Sequence, residues 1–471
     1  MSEPRIAIVG AGLAGLTCAY RLHQAGVAAT VYEARDRVGG RCWSAPGIVD
    51  GQIAEHGGEL IDRTHEHLLA LVRELGLSLE DRAVESEATG AMGRIFLDGR
   101  EIAREETAIA DMVRRLRADA ERIGDISFDQ AGPEAKAFDE LSVIDWLDAN
   151  IDGGSRSTLG RAVATGVSQN AGLQPERLAA FTLISLFFIE FEDEADPDAH
   201  GDARVPTLFD IVDAITHGMH VRGGNDLVPQ ALAATLPPGR VELGTALQTL
   251  RRTSDGAYRI RFADTPGETT ADRVVLALPF TALRQADLTD AGLSARKRAC
   301  IQELPMGGNT KLLLGFDRPM SSLAPGTGST TFEPPHLTIW DSSIGQEGPG
   351  GLATVYTATK LFDADAAHGE APPAAVDQAL RLLDSVAPGA RDAFTGRAWL
   401  DSWPDDPWSH GSYSTWGPGD ATRYWGFVGL PEDGVHFAGE HTSTISQGYL
   451  NGAVESGERA AREVLRAVGR S

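Results

Sequence analysis

Arg5-Ile6-Ala7-Ile8-Val9-Gly10-Ala11-Gly12-Leu13-Ala14-Gly15, followed by Val31-Tyr32-Glu33, decides the fold of the N-terminal region. An apolar strand runs straight into three glycines, and a helix-forming segment follows. Gly10 suits the tight turn, and Gly12 lets backbone approach a pyrophosphate. Gly15 lets the helix pack closely on the strand, so that its N-terminus faces the phosphates. Glu33 ends the second strand about 20 residues on, where an acid can bond ribose hydroxyls. A GxGxxG turn alone is weak evidence, since any α/β protein can contain a glycine-rich turn. That plain reading leaves Glu33 unexplained, and the full order of strand, turn, helix, strand and acid points to a dinucleotide site.

A second glycine pair follows directly in Arg35-Asp36-Arg37-Val38-Gly39-Gly40-Arg41. On structural grounds alone it is a loop with two flexible glycines and solvated arginines. Together with the first motif it resembles the flavoprotein oxidase family that includes monoamine oxidases and L-amino acid oxidases. In that family the segment is a second pyrophosphate contact and marks FAD rather than NAD. The resemblance implies that Gly10, Gly12, Leu13, Ala14, Gly15, Glu33, Ala34, Arg35, Gly39, Gly40 and Arg41 hold the cofactor.

The chain has 471 residues, enough for two domains with sizeable cores. Hydrophobic residues make up 42% and charged residues 23%, which fits an ordinary water-soluble globular protein. The three cysteines, Cys18, Cys42 and Cys300, are odd in number and far apart. They suit a reducing compartment, form no disulfide framework and show no metal-ligand spacing, so no metal is expected. The first strand begins within five residues of Met1, and no stretch approaches the ~18 apolar residues of a membrane helix. A cytoplasmic protein is therefore expected. A net charge of −25 argues against nucleic acid. It suits either general solubility or the steering of cationic substrates. The densest acidic run, Glu190 to Asp198, reads as a solvated loop, with an attractor for amines as the sharper alternative.

Periodicity predicts an amphipathic helix over His65–Leu75, with Leu68, Leu69, Val72 and Leu75 on one face. From about Ile102 to Phe191 the pattern is helical, and the apolar run Phe181 to Ile189 reads as core. Tyr258–Phe262 and Arg273–Pro279 read as a meander ending in a buried strand. Lys311 to Tyr356 reads as several strands of a mixed sheet. The expected fold is α/β: a discontinuous Rossmann-type FAD domain (1–82, 221–283 and 431–471) carrying a second α+β substrate domain. That second domain divides into a mostly helical part (83–220) and a mixed-sheet part (284–430).

Near the C-terminus, Gly434-Val-His-Phe-Ala-Gly439-Glu440-His441 is followed by Gln447-Gly448-Tyr449-Leu450-Asn451-Gly452. A short strand, Gly-Glu, a loop and a helix of small residues strongly resemble the closing motif of flavin amine oxidases. The resemblance implies that Gly439 and Glu440 contact the ribityl-phosphate region. Gly448, Tyr449 and Leu450 would aim a helix N-terminus at the flavin pyrimidine edge, where reduction gathers negative charge. In the same way Gly57, Gly58 and Glu59 run along the flavin, and backbone near Leu247 lies by the adenine. Glu59 has a second reading, as the partner of a neighbouring arginine.

Tyr413 and Tyr449 match the family's two aromatic rings before the flavin, which orient an amine by contacts related to cation–π attraction. Lys311 matches the lysine that holds a water near flavin N5 and assists dioxygen reduction. Trp403 matches a tryptophan beside the flavin. Ser412 stands where mitochondrial monoamine oxidases have the attachment cysteine, so noncovalent FAD is expected. Leu60 stands where one branch of L-amino acid oxidases has a carboxylate-binding arginine, although Arg63 is close in sequence. His56, His410 and His441 are expected to be satisfied structural histidines.

The resemblance thus implies oxidation of a primary amine or polyamine C–N bond to an imine, with dioxygen reduced to hydrogen peroxide. An L-amino acid oxidase is the alternative, and a flavin-dependent isomerase or desaturase acting on C–C bonds a further one. A non-catalytic FAD-binding module is the bland rival. The expected partners are a small amine or amino acid and dioxygen, with a homodimer as the candidate assembly and neither nucleic acid nor a membrane.

Overall fold

The computed structural model describes residues 3–191, 207–209, 218–360, 362 and 366–470. The strand Ile6–Val9 is the centre of a five-stranded parallel sheet. Its order is Val435–Phe437, Arg273–Leu276, Ile6–Val9, Ala29–Tyr32 and Val241–Glu242. The central strand is apolar throughout, as befits a strand covered on both faces. Alternation sends Ile6 and Ile8 toward the helices Leu13–Gln24 and Leu450–Ala467. Ala7 and Val9 turn to the opposite side, where a three-stranded antiparallel meander (Leu247–Arg252, Tyr258–Phe262, Thr269–Ala271) packs; Arg273–Leu276, expected to end that meander, instead joins the parallel sheet beside Ile6–Val9. There Tyr32 stacks on Phe262 with ring centroids 4.4 Å apart.

A second sheet of eight strands has the order His368–Glu370, Phe394–Ser402, Thr310–Phe316, Gly351–Thr357, Leu337–Asp341, Thr327–Glu333, Met92–Leu97 and Arg100–Glu101. All neighbours are antiparallel except Thr327–Glu333 beside Met92–Leu97, which makes the sheet mixed. Leu312, Leu314 and Val355 join one buried cluster with the helix Pro373–Val386. Register puts Lys311 opposite Tyr356, and Tyr356 opposite Thr338, so these three share the other face.

Met92–Leu97 and Arg100–Glu101 fall in a region expected to be mostly helical. Both Asp98 (φ 50°) and Gly99 (φ 76°) have positive φ, the conformation of a two-residue Asp-Gly hairpin turn, so a hairpin signal stood in the sequence unused. Beyond them the expected helices form, among them Ala110–Ile123, Val143–Asn150, Thr158–Ala171 and Phe181–Phe191. The helix predicted over His65–Leu75 spans Glu66–Glu74 and buries Leu68, Leu71 and Val72. Residues 192–198 of the acidic run lie outside the described residues. No described helix is long and apolar enough to cross a membrane.

Candidate active site

A cavity of about 1120 Å³ is lined from both sheets. At one end stands the first glycine turn. Gly10 has φ 106°, and a Cβ there would lie 2.6 Å from Ala277 O. The second glycine loop runs beside it: Gly39 N donates to Ala11 O at 2.8 Å, and Gly12 bridges to Gly39. The helix Leu13–Gln24 begins at Gly12 without a side-chain cap and with no acid in its first turn. Its first N–H groups therefore face the cavity without intrahelical partners, the arrangement that favours a bound anion. Arg41 brings a cation to the same wall, its Nη1 2.9 Å from Glu440 Oε1 and 2.7 Å from Ser412 O. The buried Glu33 carboxylate accepts from Ala11 N at 2.7 Å and Arg35 N at 2.9 Å. It also lines the cavity, where its remaining lone pairs suit a ribose diol. A donor-rich helix end, an arginine and an acid at the strand's end are what a dinucleotide demands, and these residues fit FAD.

The other end of the cavity is built by the mixed sheet and the C-terminal helix. Gly57 passes so close to Arg41 O that a Cβ would lie 1.8 Å from it, and a Cβ on Gly58 would strike Leu450 at 2.9 Å. Leu450–Ala467 starts at Tyr449, again with no side-chain cap and no acid in its first turn. The Tyr413 hydroxyl donates to Asn170 O at 2.5 Å and meets Tyr356 Oη at 2.8 Å, which fixes its ring. A Cβ built on Gly448 would lie 3.7 Å from Tyr413 Cδ2, so Tyr413 and Tyr449 line the same wall. Burial raises the Tyr413 phenol well above its ordinary range, and it stays neutral. Trp403 is buried and donates to His56 O at 3.0 Å. Ser412 Oγ donates to Asn309 Oδ1 at 2.6 Å.

Lys311 and Glu59 meet in this chamber, with Nζ to Oε2 at 2.9 Å. Glu59 Oε1 accepts from Trp340 Nε1 and Ser342 Oγ, both at 2.9 Å, and lies 3.3 Å from Arg82 Nη1. Burial pushes the Glu59 carboxyl up, but Lys311, Arg82 and the Trp340 bond more than offset it and bring it to about 2. Of the two readings of Glu59, partnership with an arginine is therefore present. Arg82 is itself fully buried.

Every residue expected at the cofactor or in catalysis lines the cavity except Gly15. Gly15 packs beneath the turn, where a Cβ would lie 2.0 Å from Gly10 O, the close packing of helix on strand expected of it. Leu60 lines the cavity, whereas Arg63 is exposed and pairs with Asp81 at 2.7 Å. His56 Nδ1 donates to the Asp401 carboxylate at 2.8 Å and is satisfied there. His441 corrects the expectation for its kind, because both buried ring nitrogens lack hydrogen-bond partners among the described residues. Burial pushes it down to about 4, so it is neutral, packed edge-on against Phe280.

Several lining residues went unnoticed in the sequence: Gln169, Asn309, Trp340 and Tyr356, and Phe181 and Ile184 from a helix read as core. A buried chain of bonds was also missed. Arg35 pairs with Asp406, His368 bridges Asp406 and Asp401 at 2.8 Å each, and Asp401 holds His56. It ties the cofactor arm to the loop beneath Lys311. Burial lowers the His368 ring, but the two carboxylates raise it above the ordinary histidine range. No signal marks such a chain, because its members lie up to 371 positions apart. Among the described residues no group of His, Cys, Asp and Glu could hold a metal ion.

Comparison with known proteins supplies the family. Residues 13–465 match the model of flavin containing amine oxidoreductases. The pig amine oxidase [flavin-containing] B is 25% identical over 100% of this chain and 87% of its own length. Putrescine oxidase from Kocuria rosea is 31% identical over 59% of this chain and 57% of its own. Among solved structures, cyclohexylamine oxidase from Brevibacterium oxydans IH-35A covers 100% of both chains with a TM-score of 0.81 at 21% identity, a likeness of fold. With the matched span covering nearly the whole chain, and with a cavity that fits the cofactor, the chain belongs to the flavin-containing amine oxidoreductase family and is an FAD-dependent amine oxidoreductase.

Proposed function

We propose that the chain oxidises a primary amine with an apolar body to its imine, which hydrolyses to an aldehyde or ketone and ammonia. Dioxygen is reduced to hydrogen peroxide. The observation that carries this is the chamber beyond the cofactor arm. Its wall includes Leu60, Ile95, Phe181, Ile184, Leu208 and Trp340. The arginines lining the cavity among the described residues, Arg35 and Arg41, are paired with Asp406 and Glu440. A substrate carboxylate needs a fixed, unpaired cation, and Arg63 is bound to Asp81 outside the cavity. Glu59 is matched by Lys311 and Arg82, which leaves little attraction for a second ammonium.

Bound FAD supplies the two-electron chemistry that converts C–N to C=N and passes the electrons to dioxygen. The chain supplies orientation and charge. Tyr413 and Tyr449 present ring faces to the amine, and the hydrogen bonds of Tyr413 keep its ring from turning aside. The uncapped start of Leu450–Ala467 offers N–H groups and a positive dipole end to the charge that reduction creates. Ser412 is a hydroxyl bonded to Asn309, so the cofactor is held without a covalent link.

A peroxide-coupled screen of the yellow protein against alkyl, cycloalkyl and aryl amines, polyamines and L-amino acids tests the reading. Turnover confined to amines with hydrocarbon bodies is expected, with all flavin released into the supernatant by acid precipitation. Turnover of amino acids alone would replace the reading with that of an amino acid oxidase. Silence across the panel, with flavin bound, would replace it with C–C chemistry.

A further inference from the structure

His368 stands behind the cavity wall, between two carboxylates that are themselves fully buried. Its Nδ1 lies 2.8 Å from Asp401 Oδ1, and its Nε2 lies 2.8 Å from Asp406 Oδ2. Both carboxyls are held below their ordinary range. Burial pushes Asp401 up, but His368 and His56 more than offset it. Burial acts the same way on Asp406, against His368 and Arg35. An ionised carboxylate only accepts hydrogen bonds, whereas a neutral imidazole has one donor nitrogen and one acceptor. A neutral His368 would therefore turn a lone pair on one of the two carboxylates. Both contacts are hydrogen bonds only when the ring carries two protons, as an imidazolium.

The groups around the ring extend this bond pattern. Asp406 grips the Arg35 guanidinium through both oxygens, at 2.7 and 2.9 Å, and accepts from Trp408 N at 2.9 Å. Asp401 holds His56 Nδ1 at 2.8 Å and Trp399 Nε1 at 3.0 Å. The Trp43 and Trp403 rings meet His368 edge-on, with centroids 5.3 and 4.9 Å away. Of the neighbouring charged groups, Arg37 lies over the Trp43 ring and Asp405 pairs with Lys360. Three walls of the cavity thus meet on one imidazole. Arg35 belongs to the arm with Glu33 and Ala34, Pro407 to His410 follow Asp406, and His56 leads into Gly57 and Gly58.

We propose that His368 is a positioning residue for the cofactor: as an imidazolium it ties Arg35 and the 407–410 segment to the flavin loop, and FAD is held more tightly while the ring keeps its second proton. The inference concerns the cofactor and stands whichever amine is oxidised. When FAD draws the three walls together, the carboxylates close on the ring and its proton is bound more firmly. Loaded protein then carries more protons than empty protein over the range in which the ring titrates. Affinity for FAD falls as pH rises through that range, by at most about tenfold per pH unit for one proton. Burial lowers the ring, but the two carboxylates raise it above the ordinary histidine range. The linked loss of affinity therefore lies on the alkaline side of about pH 6.5.

The experiment reads cofactor affinity rather than turnover. FAD-loaded parent and His368→Gln are diluted into buffers from about pH 6 to about pH 9, and ultrafiltration separates free flavin from bound. The parent's dissociation constant is expected to rise by about tenfold or more across that range, the scale of one linked proton. His368→Gln is expected to bind FAD more weakly than the parent at the acid end, and to change by less than about twofold across the range. A parent whose affinity ignores pH would overturn the proposal. So would a variant that keeps the parent's pH profile, because the titrating group would then lie elsewhere, with His56 the next candidate. A glutamine cannot replace the imidazolium's charge, and an uncompensated buried carboxylate can prevent folding. Nitrogen NMR of the loaded parent, with its histidines labelled, gives a readout that needs no variant. At about pH 7 both ring nitrogens of His368 should carry hydrogen, and the second proton should leave at lower pH once FAD is removed. A neutral ring in the loaded protein at that pH, or a ring that titrates alike with and without FAD, would overturn the assignment.

Discussion

Glu55 shows how much a single buried carboxyl can ask of the fold. Its oxygens accept from Asn225 N and Ser44 Oγ, both at 2.8 Å, and its own carbonyl holds Lys311. Burial pushes its carboxyl from an ordinary 4.5 up to about 8, against the lowering effect of those two bonds. Between these values the folded chain keeps the proton that the unfolded chain has released. The folded state binds more protons in that window, so stability falls as pH rises from about 4.5 to about 8. Glu55→Gln removes the ionisation while keeping an oxygen for Asn225 N and an N–H for Ser44 Oγ. Thermal melts of parent and variant should coincide near pH 5 and separate by about 4 °C or more in favour of the variant at pH 8. A parent that gains on the variant with rising pH would mean that Glu55 is ionised in the fold. Glu59, four positions on, has the opposite fate because Lys311 and Arg82 stand beside it. No sequence reading separates two such carboxyls; Glu55 meets Asn225 from 170 positions away, and Glu59 meets Lys311 and Trp340 from 252 and 281 positions away.

Among the secondary-structure elements, the closest fit is between Leu13–Gln24 and Leu450–Ala467, the two helices whose uncapped N-termini face the cavity. Gly457 lets them touch: a Cβ there would lie 2.4 Å from Ala14 O and 2.9 Å from Thr17 Cβ. Main-chain oxygen cannot yield as a flexible side chain does, so the helices must move apart if the glycine is replaced. Gly457→Val is expected to cost about 1–3 kcal/mol, the usual range for overpacking. Because both helices aim their first turns at the cofactor, the same shift should weaken FAD binding. Parent and variant passed through a gel-filtration column would show it as a lower flavin-to-protein ratio. A variant with the parent's melting temperature and full flavin content would disprove the coupling. This contact is half legible in the sequence. The run of small residues after Leu450 announces a close packing, but nothing in it says that Ala14 and Thr17 are the partners.

For the molecule as a whole, the sequence exposed the parts that local chemistry dictates. The Gly10–Gly15 turn, Glu33 at its strand end and the Gly39–Gly40 loop each carry a backbone requirement that only certain residues meet, and all came out where expected. The Met92–Leu97 hairpin was lost among helices because it is short and precedes them. The Arg35–Asp406–His368–Asp401–His56 chain was invisible because it joins the cofactor arm, two strands of the mixed sheet and the flavin loop. That chain, with the cavity lined from both sheets, has a consequence for unfolding. A ligand that touches both sheets stabilises them together, by about 4 kcal/mol at a thousandfold excess over its dissociation constant. Protein stripped of FAD and then titrated with it should therefore melt in one calorimetric transition that moves upward as a unit. Fluorescence of the mixed-sheet tryptophans Trp340 and Trp399 should follow the same midpoint as circular dichroism of the whole chain. Two transitions, with only one responding to FAD, would show that the sheets unfold independently and that the cofactor is gripped by the parallel sheet alone. The buried chain of polar bonds predicts against that outcome: Asp406 is fully enclosed, and releasing Arg35 from it would leave a carboxylate in the interior with the His368 ring as its remaining ion-pair partner among the described residues.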